Sequence, residues 1–285
     1  ENIDPSFKSR LFEDFLKGTT GKKQLAQFFT PRNVIKMIVE MANVKKLEDK
    51  SNIYDPACGV GGFISETILN RFLNTIKDFK YDQENINVNL NYYGNDYDEL
   101  TIILAKANLL ITLAELVYEN PSMTKEISKE LSKIFKLTNN SIIGSLEDIK
   151  ENYYDLIMSN PPYISSGKGL YTEYIAKRPE LKKYYNVTCV GKEGLFIQKI
   201  IEELKPGGRA FIVLPDGFFY RPSDNELKEK LINKCYINAI ISLPKKTFYA
   251  TDKKTYVLCI EKKLKPENQE WPIFLAIAQS IGETL

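Results

Sequence analysis

Four consecutive residues, Asn160-Pro161-Pro162-Tyr163, have the types and the order needed to hold a planar amine. They follow the apolar run 155–159, which predicts a buried strand. Two successive prolines can neither extend a sheet nor begin an ordinary helix, so they stiffen a projecting turn. The Asn160 amide oxygen and the Pro161 carbonyl could then accept both hydrogens of an exocyclic amine, while Tyr163 stacks on the ring that carries it. The alternative is a plain diproline turn with a surface tyrosine.

A second candidate site is the glycine-rich turn D-P-A-C-G-V-G-G-F at 55–63, which follows a short strand predicted at 52–55. Such a turn between a strand and a helix lets a ligand approach the backbone at the carboxyl end of a sheet. Its glycines do not follow G-x-G-x-x-G, and no Lys-Ser or Lys-Thr pair comes after them. A dinucleotide or a triphosphate is therefore not the best fit. The alternative is a tight turn that binds no ligand.

Asp96 follows the second predicted strand, in the sequence G-N-D. An acid at this place in a Rossmann-like sheet accepts hydrogen bonds from ribose hydroxyls, about 20 residues after the glycine turn. Here the acid comes later, so we expect an insertion within 77–89, a polar and asparagine-rich stretch. Taken alone, Asp96 is equally well explained as a turn acid at a strand end.

The composition excludes several kinds of chemistry. The 285 residues include no histidine, which excludes His-dependent zinc sites and Ser-His-Asp or Cys-His catalysis. The four cysteines lie far apart without a C-x-x-C pair, which argues against structural zinc and disulfides and favours a reduced, cytoplasmic protein. A formal net charge of +2 does not indicate a nucleic-acid binder, so local basic patches would have to do so. No apolar run is long enough to span a membrane.

Strand-like and helix-like segments alternate along most of the chain, which predicts a doubly wound α/β sheet. The last two predicted strands lie too close together for a helical crossover, so we expect them to be antiparallel. The polar, aromatic and basic segment 165–192 lacks periodicity and predicts a long functional loop or lid. Predicted helices are 7–16, 31–44, 63–79, 99–118, 125–135, 193–204 and 223–233; predicted strands are 52–55, 90–95, 141–144, 155–159, 210–214, 237–243 and 255–261.

Three motifs together resemble those of S-adenosylmethionine-dependent DNA adenine-N6 methyltransferases: Q-F-F-T-P-R at 27–32, the glycine-rich turn at 55–63 and N-P-P-Y at 160–163. Their order is similar to the gamma subgroup, and most of all to the modification subunit of type I restriction-modification systems. The resemblance covers about 7–263. It implies a Rossmann-like class I methyltransferase fold with a mostly parallel seven-stranded sheet, an antiparallel last strand and a short helical N-terminal extension.

The resemblance also implies a cofactor, S-adenosyl-L-methionine, and roles for the matching residues. Thr30 and its neighbours would hold the methionine end, Asp96 would bind the ribose hydroxyls and Tyr97 would pack on the adenine. Asn160, Pro161 and Tyr163, stiffened by Pro162, would hold the target adenine at the catalytic site. The full set of cofactor-binding candidates is Gln27, Phe28, Phe29, Thr30, Pro31, Arg32, Asp55, Ala57, Cys58, Gly59, Gly61, Asp96, Tyr97 and Ser145.

Two further positions are judged from the same resemblance. Many relatives carry Asp after Gly in a third-strand motif, where it contacts the cofactor's adenine, but G-S-L-E-D at 144–148 has Ser145 there. Either the Ser145 hydroxyl replaces that contact or Asp148 reaches it. Phe248, in L-P-K-K-T-F, resembles a position whose ring packs against the flipped base. Its alternative role is that of a hairpin core residue.

The implied reaction moves a methyl group from S-adenosylmethionine to N6 of an adenine flipped out of double-stranded DNA, within a restriction-modification system. The implied organisation is a helical extension at 1–26, a catalytic domain at 27–265 and a tail at 266–285 that leads toward a missing or separate recognition domain. A specificity subunit or a C-terminal target-recognition domain would choose the site, and a restriction subunit is a further candidate partner. DNA contacts are expected at the basic residues Arg178, Lys182, Lys183, Lys245, Lys246, Lys253 and Lys254.

Three alternatives stay open. An N-methyltransferase for RNA or for protein glutamine also uses N-P-P-Y near a glycine turn, but usually without F-F-T-P. The chain could instead be a fragment of a fused type IIG restriction-methyltransferase. It could also be a catalytically silent methyltransferase fold that only binds partners or DNA. No metal site is expected.

Overall fold

The computed structural model describes residues 29–74, 76, 78–82, 85–114, 118, 121–163, 168–248 and 253–282. The predicted N-terminal extension at 1–26 lies outside the described residues, as do Gln27 and Phe28. The described chain divides into two compact units. The first comprises 29–138 with Phe248, and the second comprises 139–247 with 253–282.

The first unit is built on three parallel strands. β1 pairs with β4, with Asp55 opposite Gly94, and β4 pairs with β5. The polar insertion predicted within 77–89 forms an antiparallel hairpin, β2 and β3. In chain order the elements are α1 (Arg32–Met41), β1 (Asn52–Asp55), α2 (Gly62–Leu73), β2 (Phe79–Asp82), β3 (Asn85–Val88), β4 (Asn91–Asp96), α3 (Glu99–Thr112), α4 (Thr124–Ile134) and β5 (Phe135–Leu137).

Local sequence explains where the first helices begin. Pro31 precedes α1 and needs no N–H partner there. The apolar residues Val34, Ile35, Ile38 and Val39 of this helix are buried. Asp98 caps α3, since its side chain accepts a hydrogen bond from the Thr101 N–H at 2.8 Å. These two signals are local, so the sequence placed both starts correctly.

The second unit is built on five strands in the order β10-β8-β9-β7-β6. β6 and β7 are parallel, whereas β9 is antiparallel to both β7 and β8, as predicted for the last two strands. The elements are β6 (Tyr154–Ser159), α5 (Lys168–Ala176), α6 (Pro179–Lys182), α7 (Gly191–Glu203), β7 (Leu204–Pro215), α8 (Gly217–Tyr220), α9 (Asn225–Lys234), β8 (Cys235–Ser242), β9 (Thr255–Lys262) and β10 (Phe274–Ile277).

The predicted number of strands is wrong by one. Apart from the β2–β3 hairpin, the described residues form three strands in the first unit and five in the second, eight in all, where the sequence predicted seven. The additional strand is β10, within the segment predicted as a tail. It pairs in parallel with β8, and the Gln269 side chain fastens the preceding chain to the Ile237 backbone at 2.8 and 2.9 Å. This pairing depends on residues about 30 positions away and leaves no local signal.

Two other local predictions are wrong. Residues 141–144 form no strand, because Gly144 has a φ of +57° and opens a 3₁₀ turn. The third strand of the first unit is instead β5, three residues long. The segment 165–192 is not one long loop, since α5 and α6 occupy much of it. Their buried side chains, Ile175 and Leu181, are too few to show a helical period.

All four cysteines are free and buried. Among the helices that the structure describes, none has both the length and the apolar character needed to cross a membrane.

Candidate active site

The glycine-rich turn connects β1 to α2 and is tied to the carboxyl end of β4. The Cys58 N–H donates to the Asn95 carbonyl at 2.9 Å, and the Gly59 N–H donates to Asp96 Oδ2 at 3.0 Å. Gly59 and Gly61 have φ values of +52° and +75°, which L side chains rarely adopt. These hydrogen bonds therefore fix the backbone of the largely buried turn beside Asp96, and its role as a ligand-binding turn stays a prediction.

Asp96 is held by backbone donors on both carboxylate oxygens. In addition to the Gly59 contact, its Oδ1 accepts from the Asp98 N–H at 3.0 Å. Burial raises the pKa of the Asp96 carboxyl, although these backbone hydrogen bonds oppose the rise. Each oxygen has further acceptor capacity, so the carboxylate can accept hydroxyl donors. The neighbouring Tyr97 is 56% exposed, which leaves its ring accessible to a planar group.

Asp55, Ala57 and Cys58 form the first half of the turn. The Ala57 N–H donates to Asp55 Oδ1 at 3.1 Å, which fixes the backbone just after β1. Cys58 is 5% exposed. Burial, and then the Asp55 and Asp96 carboxylates, raises the pKa of the Cys58 thiol well above its usual value. A thiol of this kind stays protonated, so Cys58 is a small packing residue and not a nucleophile.

The described part of the F-F-T-P-R motif lies next to the same turn. Phe29 is buried against Val60, with Leu104 packed on the pair. Arg32 is buried with its guanidinium 3.8 Å from the Glu66 carboxylate. Burial raises the pKa of that carboxyl, while the Arg32 charge opposes the rise. Thr30 is half-buried and Pro31 buried, at the start of α1. The structure therefore brings Phe29 of this motif to the glycine turn and Arg32 to α2, which the sequence alone could not show.

The Asn160-Pro161-Pro162-Tyr163 turn follows β6 in the second unit. Pro161 is buried and Pro162 exposed. The Tyr163 hydroxyl donates to Asn160 Oδ1 and also lies 3.3 Å from the Val213 carbonyl oxygen on β7. Burial, followed by the Glu193 carboxylate, raises the pKa of Tyr163 well above its usual value. The amide oxygen predicted to receive an amine is thus already in contact with a hydroxyl.

The two remaining predicted positions are both buried. Ser145, 6% exposed, lies in the 3₁₀ turn Gly144–Leu146 of the second unit. Close to it, the Asp148 carbonyl accepts a hydrogen bond from the Lys199 ammonium. Phe248 is 5% exposed and belongs to the first unit. Their proposed contacts with the cofactor and with a flipped base stay predictions.

Sequence reasoning missed an ionic network beside the Asn160–Tyr163 turn. Glu193 is 3% exposed, and its Oε1 accepts from the Arg221 guanidinium at 3.0 Å. Arg221 also donates to Asp224 at 2.9 Å, and Asp224 accepts from the Val190 N–H at 2.7 Å. The spacing of Arg221 and Asp224, three positions apart, was the only local signal. Glu193 is 28 positions away in sequence, so only folding reveals its part in the network.

Some of the predicted DNA-contacting residues are engaged within the chain. Arg178 lies over the Tyr174 ring, 3.4 Å from its centroid, and Lys183 pairs with Glu151 at 3.0 Å. The exposed lysines in the predicted set are Lys182, Lys183, Lys245, Lys246 and Lys253. An exposed ion pair such as Lys183–Glu151 contributes little to stability, so a DNA phosphate can replace Glu151 as the partner of Lys183.

Comparison with known proteins decides the family. A family model described as N-6 DNA Methylase matches residues 8–281, nearly the whole chain. The chain belongs to the N-6 DNA Methylase family. The methylase subunit of the type I restriction enzyme EcoEI from Escherichia coli is 27% identical over 269 residues, which cover 92% of this chain and 47% of that subunit. The chain thus spans about half the length of the curated relatives that it matches.

Two solved structures confirm the fold of this N-6 DNA Methylase family member. A protein described as a class I S-adenosylmethionine-dependent methyltransferase from Listeria monocytogenes has a TM-score of 0.64 at 19% identity, covering 99% of this chain and 76% of that one. The M protein of the EcoKI enzyme of Escherichia coli has a TM-score of 0.58 at 24% identity, covering 86% and 46%. The predicted mostly parallel α/β methyltransferase fold and the predicted family are both confirmed.

Proposed function

We propose that this protein transfers the methyl group of S-adenosyl-L-methionine to N6 of an adenine flipped out of double-stranded DNA, as part of a restriction-modification system. The observation that carries the proposal is the turn after β6, where a rigid diproline segment presents the Asn160 amide oxygen in a chain of the N-6 DNA Methylase family. That oxygen and the Pro161 carbonyl are two acceptors for one amine.

The first unit suits the proposed cofactor by its donors and acceptors. The Asp96 carboxylate would accept the two ribose hydroxyls, and exposed Tyr97 would pack on the adenine. The left-handed backbone at Gly59 and Gly61 favours glycine, so no side chain projects from these two positions of the turn. Bound S-adenosylmethionine supplies an electrophilic methyl group on a positively charged sulfur. Cys58 takes no covalent part, because its thiol stays protonated.

Asn160 and Pro161 would activate the amine electrostatically. The lone pair of adenine N6 is delocalised into the ring, which makes the amine a poor nucleophile. Hydrogen bonds from its two N–H groups to Asn160 and Pro161 favour the form in which positive charge develops on nitrogen. Because the two acceptors are fixed, they stabilise that charge without reorganising. Positioning of the base by stacking on Tyr163 contributes the rest. Flipping the base costs a few kcal/mol, which stacking of about 1–3 kcal/mol would partly offset.

We further propose that the choice of target sequence lies with a specificity subunit or a C-terminal target-recognition domain. The relative named above is one subunit of a type I restriction enzyme, which supports a multi-subunit assembly. A restriction subunit is a further candidate partner. Double-stranded DNA would contact the exposed lysines of the second unit. We place the protein in the cytoplasm, in keeping with its four free, buried cysteines.

Transfer of a labelled methyl group to DNA, RNA and glutamine-containing protein substrates tests the function. We expect label in DNA alone, as N6-methyladenine, and loss of transfer in Asn160→Ala with S-adenosylmethionine binding nearly unchanged by calorimetry. Long-read mapping of N6-methyladenine in cells with and without the complete gene would then give the target motif. Label in RNA or protein only, or full transfer by Asn160→Ala, would contradict the proposal.

A further inference from the structure

The second half of the glycine-rich turn is held by α3. Leu104 packs on the buried cluster that contains Val60, and a Cβ on Gly61 would lie 3.3 Å from the Ala105 Cβ. One helical turn after Leu104, the side-chain amide of Asn108 donates a hydrogen bond to the Val60 carbonyl at 3.0 Å. This hydrogen bond joins residues 48 positions apart in sequence, so only the folded chain reveals it.

The hydrogen bond from Asn108 fixes the part of the turn that has the greatest backbone freedom. Val60 stands between Gly59 and Gly61, and glycine adopts left-handed and right-handed backbone about equally readily. From the side of β4, the turn is held by the Gly59 N–H on the Asp96 carboxylate. From the side of α3, it is held by Asn108 on the Val60 carbonyl. The two hydrogen bonds therefore fix the backbone before and after the Gly59–Val60 peptide.

Stability alone does not explain an asparagine at position 108. Asn108 is 3% exposed, and its amide oxygen has no hydrogen-bond partner among the residues that the structure describes. A buried acceptor without a donor is unfavourable, and a leucine has a similar shape without that oxygen. What asparagine supplies here, and leucine would not, is the donor to the Val60 carbonyl.

We infer that Asn108 is a positioning residue of the cofactor site, which holds the glycine-rich turn in the conformation that S-adenosylmethionine binds. The inference rests on the proposed function and adds to it a residue that acts through Val60. Without the Asn108 amide, the turn exchanges between the held conformation and others that its glycines permit. The cofactor binds the held fraction, so its apparent affinity falls with that fraction. Once bound, the cofactor holds the turn itself, so the rate of methyl transfer is unchanged.

Asn108→Leu removes the donor and keeps the volume of the side chain. A hydrogen bond of about 1 kcal/mol corresponds to about fivefold in the ratio of held to released turn. We expect the Kd for S-adenosylmethionine, measured by titration calorimetry, to rise by up to about fivefold. The KM for the cofactor should rise with it, whereas kcat at saturating cofactor should match the parent. Asn108→Ala removes the same donor but leaves a cavity, so we expect the same loss of affinity together with lower stability in denaturant unfolding.

Asn70→Leu is the matched control in the same unit. Asn70 is 8% exposed on α2, and its amide oxygen also lacks a partner among the described residues. Its amide donates at 2.6 Å to Glu40 on α1, and not to the turn. The control therefore loses one buried side-chain hydrogen bond of a similar kind, and we expect its cofactor affinity to equal that of the parent.

The measurements use the complete protein with its recognition subunit or domain, and Asn108→Ala carries the test alone if leucine cannot pack at this position. Cofactor affinity equal to that of the parent in the Asn108 variants would overturn the inference. So would an equal loss of affinity in Asn70→Leu, or a lower kcat with unchanged affinity. A parent that binds S-adenosylmethionine but transfers no methyl group to DNA would instead overturn the proposed function and leave the inference in place.

Discussion

Asp96 gives the sharpest test of the proposed cofactor site, because a second carboxylate two residues away provides a matched control. The perturbation is Asp96→Asn, which keeps the size of the side chain and one oxygen but removes the charge and one acceptor. The remaining oxygen can still accept the Gly59 N–H, so the turn keeps this tie to β4, whereas the Asp98 N–H loses its acceptor on Oδ1. We therefore expect the substitution to lower the affinity for the cofactor, through its ribose hydroxyls, more than the stability of the fold.

The magnitude follows from the hydrogen bonds that are lost. A hydrogen bond to a charged group contributes about 1.5–3 kcal/mol, and the substitution removes one and weakens another. A total near 2–3 kcal/mol corresponds to an affinity loss on the order of 100-fold. Titration calorimetry with S-adenosylmethionine measures it directly. Asp98→Asn should bind the cofactor as the parent does, because Asp98 caps α3 through Thr101 and Asn caps nearly as well.

The pH dependence gives a second readout of the same residue. Burial raises the pKa of the Asp96 carboxyl, so the protonated form accumulates at a higher pH than for an exposed aspartate. Cofactor affinity should be complete above that raised pKa and should fall as the pH decreases through it. In Asp96→Asn this part of the pH dependence should disappear. Parent-like affinity in Asp96→Asn, or an equal loss in Asp98→Asn, would refute the assignment of Asp96 to the ribose.

Three further outcomes can be checked with single variants. Gly61→Ala should destabilise the fold by about 1–3 kcal/mol in denaturant unfolding, since φ is +75° and a Cβ would lie 2.6 Å from the Phe135 ring; Gly169→Ala, on α5 with open space around it, should not destabilise. Cys58→Ala should retain methyl transfer. The Cys58 thiol of the parent should resist alkylation in the folded state at pH 8, because burial raises its pKa. A Cys58→Ala variant that folds normally but has no activity would contradict the packing role of Cys58. Asp78→Ala should lower the free energy of unfolding by about 3–5 kcal/mol. The Arg71 guanidinium lies 2.7 Å from the Asp78 carboxylate, and the substitution leaves this buried charge without its counter-ion. A loss below about 1 kcal/mol would show that the pair contributes little.

The Glu193–Arg221–Asp224 network explains why the second unit can keep a charged group close to the Asn160–Tyr163 turn. Glu193 is nearly inaccessible to solvent, and a buried carboxylate without a partner would be strongly unfavourable. Arg221 supplies that partner and is itself paired with Asp224. A change at any of the three would therefore affect the surroundings of Tyr163 without touching the N-P-P-Y residues.

The local motifs could be predicted from the sequence because their geometry is set within a few residues. Nearby residues determine the conformation of each motif: a glycine turn after a buried strand, an acid at a strand end and a diproline turn. The three motifs predicted the family, and the alternation of strand-like and helix-like segments predicted the α/β fold and most of its helices. The roles of the predicted site residues stay predictions, but the structure places Gly59 against Asp96 and Phe29 against Val60.

Folding decided what depends on residues far apart in the chain. β5 forms because the three residues after α4 pair with the edge of β4. β10 forms because four residues near the end of the sequence pair with β8. No local pattern identifies strands so short, since their stability comes from the partner strand. The sequence alone did not reveal the donor to the Asn160 amide oxygen either. Sequence can show that a tyrosine follows the prolines, but only the packed turn determines that its hydroxyl, and not solvent, faces the amide oxygen.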